Sequence, residues 1–135
     1  GIEHVELDEL LKMSDFVTLH PPMSSETYHL IGERELGLMK SNAILVNIAR
    51  GPIVDGQALY RALKDGQIAG AALDVTEPEP INPGHLLLTL DNLIICPHLG
   101  SATHQTRMKM ANMAADNILA GLKGEPLPYE VIETR

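Results

Sequence analysis

Several residues suited to gripping an anion and moving a proton stand at the ends of apolar runs in this sequence. Arg50 lies in Asn47-Ile48-Ala49-Arg50-Gly51, directly after Ala43-Ile44-Leu45-Val46. Asp74 follows Ala69-Gly70-Ala71-Ala72-Leu73, with Glu77 and Glu79 close behind, and His98 follows Leu93-Ile94-Ile95-Cys96-Pro97. A guanidinium fork matches a carboxylate bidentately, and an imidazole exchanges a proton near neutral pH. A carboxylate partner keeps such an imidazole charged and oriented. Together these groups fit an anionic substrate and a proton transfer. Singly, each has a plainer reading: Arg50 as a surface charge opening a turn, His98 as a ring bonded to a backbone carbonyl, Glu79 as a solvated loop acid, Asp74 as a turn cap. The other histidines, His4, His20, His29, His85 and His104, share no metal-ligand spacing, so no metal site is expected.

For these residues to meet, the apolar runs must be neighbouring strands. The acid-rich start, with Leu7, Leu10 and Leu11 at helical spacing, predicts a short amphipathic helix. Phe16-Val17-Thr18-Leu19 then predicts a strand stopped by Pro21-Pro22, followed by a short helix over 33–39 and a strand over 43–47. Asp55 is a good N-cap for a helix to about residue 65, with Ala58, Leu59, Ala62 and Leu63 on one face and Gly66 as the stop. Strands are expected over 69–73 and 93–96, separated by a Pro-rich loop over 76–84. A last helix over 102–123 carries Met108, Ala111, Ala115, Ile118 and Leu122 on one face and ends at Gly124. Alternating strands and helices predict parallel βαβ units, and continuous apolar strands predict a sheet covered on both faces. The fold class is α/β, a doubly wound, Rossmann-like parallel sheet, whose ligands sit beyond the carboxyl ends of the strands. None of the 11 glycines falls in the G-x-G-x-x-G pattern of a pyrophosphate-binding turn.

A chain of 135 residues, 44% of them hydrophobic, can bury one core. Its 18 acids against 10 bases give a formal charge of −8, which argues against nucleic acid or an anionic membrane surface as the main partner. The single cysteine, Cys96, cannot form an internal disulfide, which fits a reducing compartment. No run of about 18 apolar residues is present for a membrane span, and the start does not resemble a signal peptide. A cytoplasmic location is therefore expected.

Three segments resemble the signatures of the D-isomer-specific 2-hydroxyacid dehydrogenases: Asn47-Ile48-Ala49-Arg50-Gly51, Leu73-Asp74-Val75-x-x-x-Glu79-Pro80 and Pro97-His98-Leu99-Gly100-Ser101-Ala102-Thr103. The Asp-Val-Thr, Gly-Ser-Ala-Thr-His and late Gly-Glu-Pro runs are most similar to the glyoxylate/hydroxypyruvate reductase branch. The resemblance extends over about residues 7–128 and implies an oxidoreductase that transfers a hydride between NAD or NADP and a small 2-keto or 2-hydroxy acid. It implies that Arg50 holds the substrate carboxylate, that His98 is the general acid/base, and that Glu79 pairs with that histidine. Asp74 and the Ile48 carbonyl match groups that contact the nicotinamide carboxamide, and Pro21, Pro22 and Gly100 match other cofactor contacts. Two positions depart from the pattern: Thr76 stands where an aromatic is usual, and Glu6 where a serine often caps the first helix.

The resemblance further implies that the chain is the C-terminal part of a longer enzyme. On that reading, residues 1–124 are a partial dinucleotide-binding domain and 125–135 a tail. The chain alone is then inactive, and the complete protein is a homodimer, as is common in the family. An alternative on the same scaffold is a non-enzymatic nucleotide-sensing or corepressor-like module. Arg50, Glu79 and His98 together favour the enzyme, because a sensor needs no such set.

Overall fold

The computed structural model describes residues 1–131; the last four residues of the expected tail lie outside the described residues. The chain forms two compact units, Gly1–His98 and a second that opens at Leu99.

The first unit begins with helix α1 (Leu7–Met13), followed by strand β1 (Phe16–Leu19) and helix α2 (Glu33–Leu38). Strand β2 (Ile44–Asn47), helix α3 (Gly56–Lys64), strand β3 (Gly70–Leu73) and strand β4 (Leu93–Ile95) complete it. Short 3-10 turns at Gly51–Ile53 and Leu86–Thr89 were not foreseen from the sequence. Glu6 precedes α1 without a side-chain cap bond. Asp55 caps α3 as expected, accepting from the Gln57 and Ala58 amides at 2.9 and 3.0 Å, and Gly66 takes the left-handed backbone that ends the helix region.

All four strands are parallel, in the order β1-β2-β3-β4. Val17, Leu45 and Ala71 align across β1, β2 and β3, as do Leu19, Asn47 and Leu73 one pleat further on. These residues are buried, in one core with Leu11 of α1, Leu36 of α2 and Leu59 and Leu63 of α3. The expectation of a sheet covered on both faces does not hold in this unit: Phe16 and Ile94 on the opposite face are exposed, and Ile44 and Val46 are half-buried. The strand order supplies the reason. Each crossover advances the sheet in the same direction, and right-handed crossovers running one way lay their helices on one side.

In the second unit, helix α4 (His104–Lys123) is capped by Thr103, whose hydroxyl accepts from the Thr106 amide at 3.1 Å, and closed by left-handed Gly124. The Asn117 side chain pairs with the Tyr129 backbone through two bonds of 3.1 and 3.0 Å. No described helix is long and apolar enough to cross a membrane.

Candidate active site

The carboxyl ends of β2, β3 and β4 present the residues singled out by the sequence, and the backbone continues their ladder beyond the strands. The Asp74 amide donates to the Asn47 carbonyl at 2.9 Å, and the His98 amide donates to the Asp74 carbonyl at 3.0 Å. This stitching holds Asp74 and His98 side by side. The His98 ring closes on the loop after β3: its Nδ1 lies 2.7 Å from Glu79 Oε1, with both side chains partly exposed. His98 also has a φ of 55°, in the left-handed region that non-glycine residues seldom occupy. Such a conformation is retained where surrounding contacts over-determine it, and these clusters occur at functional sites.

His98, Glu79 and Asp74 share a cavity of about 410 Å³ with Thr76, Pro80, Ile81, Ile95, Cys96 and Pro97. The wall is mostly apolar, with the polar groups converging from two chain segments, as in small-molecule sites generally. Arg50 stands in a second cleft, with Pro21, Pro22, Ile48, His20, Met23 and Ala49. The structure thus pairs the histidine with its acid and gathers the arginine with the Pro-Pro segment and Ile48, in two neighbouring hollows rather than one. Gly100 lies past β4 in the second unit.

Arg50 owes its place to a residue the sequence reading passed over. Asn47 is fully buried, and its amide closes the turn after β2: Nδ2 donates to the Arg50 carbonyl at 2.9 Å and Oδ1 accepts the Ala49 amide at 3.1 Å. The available signal was a polar residue on the core-facing register of an apolar strand. Arg50 Nη1 donates to the Ala49 carbonyl at 2.7 Å, and the guanidinium forms no ion pair among the described residues. Gly51 was also missed as a contact residue. A methyl group there would overlap the Thr76 carbonyl, so glycine permits the loop after β2 to lie directly on the loop after β3. Thr76 tightens that second loop by donating its hydroxyl to the Pro78 carbonyl at 2.9 Å. Among the described residues, no three His, Cys, Asp or Glu side chains form a metal-binding group.

Residues 1–100 match the family model for the NAD binding domain of the D-isomer specific 2-hydroxyacid dehydrogenases. The chain belongs to this family. It is 53% identical to a glyoxylate reductase of Korarchaeum cryptofilum, covering 100% of this chain and 42% of that protein. It is 52% identical to a glyoxylate/hydroxypyruvate reductase B of Yersinia pestis, covering 92% of this chain and 38% of the relative. The crystal structure of the TT0316 protein from Thermus thermophilus superposes with a TM-score of 0.91 at 49% identity, over 95% of this chain and 41% of that one. The chain therefore spans about two fifths of the length of these family members, and its parallel sheet is the Rossmann-like fold of their NAD-binding domains.

Proposed function

We propose that this chain carries the acid/base pair and the carboxylate-gripping arginine of an NAD(P)-dependent 2-hydroxyacid dehydrogenase acting on a small 2-keto acid such as glyoxylate or hydroxypyruvate. The observation that carries this reading is the 2.7 Å bond between His98 Nδ1 and Glu79 Oε1. With Nδ1–H donated to Glu79, Nε2 is the nitrogen that gives a proton to the keto oxygen in reduction and takes it back in oxidation. Glu79 fixes the tautomer and the ring plane, and the backbone bond from His98 to Asp74 fixes where the ring starts. Arg50, spending one N–H on Ala49, keeps the rest of its fork for the substrate carboxylate. Holding that carboxylate orients the keto carbon for attack.

The residues fit the nicotinamide end of the cofactor. Its carboxamide NH2 is a donor, and the Asp74 carboxylate and the Ile48 carbonyl, at the ends of adjacent strands, are acceptors. Pro21, Pro22 and Gly100 are proposed as further cofactor contacts. When bound, the cofactor supplies the hydride, while the protein supplies position and electrostatics. The Glu79–His98 bond supports an enzyme over a nucleotide-sensing module on the same scaffold. The intact protein is proposed to be cytoplasmic and homodimeric, and the formal charge of −8 on this chain argues against nucleic acid as its partner.

The test is oxidation of NADH or NADPH by the intact protein with glyoxylate or hydroxypyruvate. Wild type turns over at least one of the two, and Glu79→Gln, which keeps an acceptor for Nδ1–H but removes the charge that favours the imidazolium, loses at least about tenfold in kcat/KM for reduction. A wild type silent with both acids, or a fully active Glu79→Gln variant, refutes the reading.

A further inference from the structure

Among the described residues, only two non-glycine residues adopt left-handed backbone, His29 with φ 51° and His98 with φ 55°. Each sets its ring against a carboxylate of the same short loop. His98 meets Glu79, and His29 Nε2 lies 3.2 Å from Glu77 Oε2. The Tyr28 ring stacks on His29 with centroids 4.0 Å apart, which restricts the imidazole further. Nothing in the acid/base chemistry uses His29 or Glu77, yet a rarely populated backbone conformation is retained at their meeting point.

The surroundings show what the pair joins. The His29 amide donates to the Pro52 carbonyl at 2.8 Å, and the Ile31 amide donates to the Ile53 carbonyl at 3.0 Å. Ile31 and Val54 form a parallel bridge, and the Asp55 amide returns a bond to the Ile31 carbonyl at 3.0 Å. The segment around His29 is thus zipped to the chain that follows Arg50. Through Glu77 it also reaches the loop that carries Glu79 two residues later. Asn47 fixes the Arg50 turn from within β2, independently of this contact. In the Glu79 loop, buried Thr76 donates to the Pro78 carbonyl, Gly51 lies against the Thr76 carbonyl, and beyond Thr76 the side chain of Glu77 bonds His29.

We infer that His29 and Glu77 are a positioning pair that sets where Glu79 stands against His98. The inference rests on the reading that the Glu79–His98 pair moves the substrate proton. Losing the clamp frees Glu79 and relaxes the tautomer of His98, while the Arg50 grip stays in place. Turnover should therefore suffer and substrate affinity should not.

The experiment compares wild type, His29→Ala, Glu77→Ala, the double variant and Glu77→Gln in the intact protein. Steady-state kinetics with glyoxylate should show kcat falling about tenfold in either alanine variant, with KM held within about twofold. The double variant should match the singles, because one contact is lost in each case. Glu77→Gln, which can still hydrogen-bond Nε2, should recover most of kcat. A second readout needs no activity: two-bond 1H–15N correlation reads the tautomer of His98 at a pH where the ring is neutral. Wild type should hold the Nδ1–H form, and both alanine variants should shift toward Nε2–H. An unchanged His98 tautomer in both alanine variants overturns the inference, whatever the kinetics. A tautomer shift in a protein that reduces no 2-keto acid keeps the clamp and rejects the dehydrogenase reading instead.

Discussion

Helices α3 and α4 are both capped at their N-termini by a side-chain oxygen and both carry regularly spaced apolar residues, but they are held differently. In α3, Ala58, Leu59, Ala62 and Leu63 are buried in the core beneath the sheet. In α4, Met108, Met110, Ile118, Leu119 and Leu122 are all exposed, and Ala120 alone is buried. The exposed residues of α4 are also spread over more than one face, since 118 and 119 point about 100° apart and 108 and 110 about 160° apart. Periodicity thus specifies a helix in both cases and the covering of that helix in only one. The first unit has a buried core, whereas within its own unit α4 is held by the Thr103 cap, the Gly124 stop and the Asn117–Tyr129 bonds.

That contrast can be broken by two truncations. Leu59→Ala removes a side chain with 0% exposure and should cost about 2–5 kcal/mol. Ile118→Ala, at 63% exposure, should stay within about 0.5 kcal/mol. Urea unfolding of the chain measures both, and equal losses would show that α4 is anchored by burial after all. A smaller effect sharpens the picture within the first unit. Gly51→Ala forces the two site loops apart and should cost about 1–3 kcal/mol. In the intact protein it should also lower kcat/KM, because Arg50 and Glu79 ride on the two loops that separate.

The smallest effect is at the surface of the first unit. Lys40 bonds Asp15 at 3.0 Å and holds its carboxyl below the ordinary value of 3.8. Arg34 acts likewise on Asp8, through bonds of 2.9 and 3.0 Å. A carboxyl whose folded value is depressed adds stability above its unfolded value and loses it as pH falls through the folded one. Asp15→Asn should therefore be slightly less stable than wild type at about pH 7, with the gap narrowing at acid pH below the ordinary carboxyl value of 3.8. Urea midpoints at neutral and acid pH check this; a gap that widens in acid would contradict the assignment.

Much of the first unit was legible because its strands are short apolar runs and its α3 cap and stop are chemically distinctive. The edges of β2, β3 and β4 each came out one residue shorter than expected, at Ile44, Gly70 and Ile95. The open sheet face was not legible, because apolar strands look alike whether one side or both will be covered. Strand order decides that, and strand order is not written in any local window. The Glu79–His98 contact could be anticipated only through the family motifs, since 19 residues separate the partners. Asn47, Gly51 and the His29–Glu77 pair were missed for a similar reason: their roles lie in contacts between loops, and the last spans 48 residues of sequence.

The proposed chemistry divides its labour between two hollows, His98 with Glu79 moving the proton and Arg50 gripping the acid. Steady-state kinetics of His98→Gln and Arg50→Gln in the intact protein, with the cofactor Kd measured alongside, test that division most directly. His98→Gln should lower kcat by about 100-fold or more, leaving KM for glyoxylate near its wild-type value. Arg50→Gln should chiefly raise that KM, by about tenfold or more, and neither variant should shift the cofactor Kd by more than about twofold. A His98→Gln variant with wild-type kcat, or an Arg50→Gln variant with wild-type KM and kcat, would contradict the division.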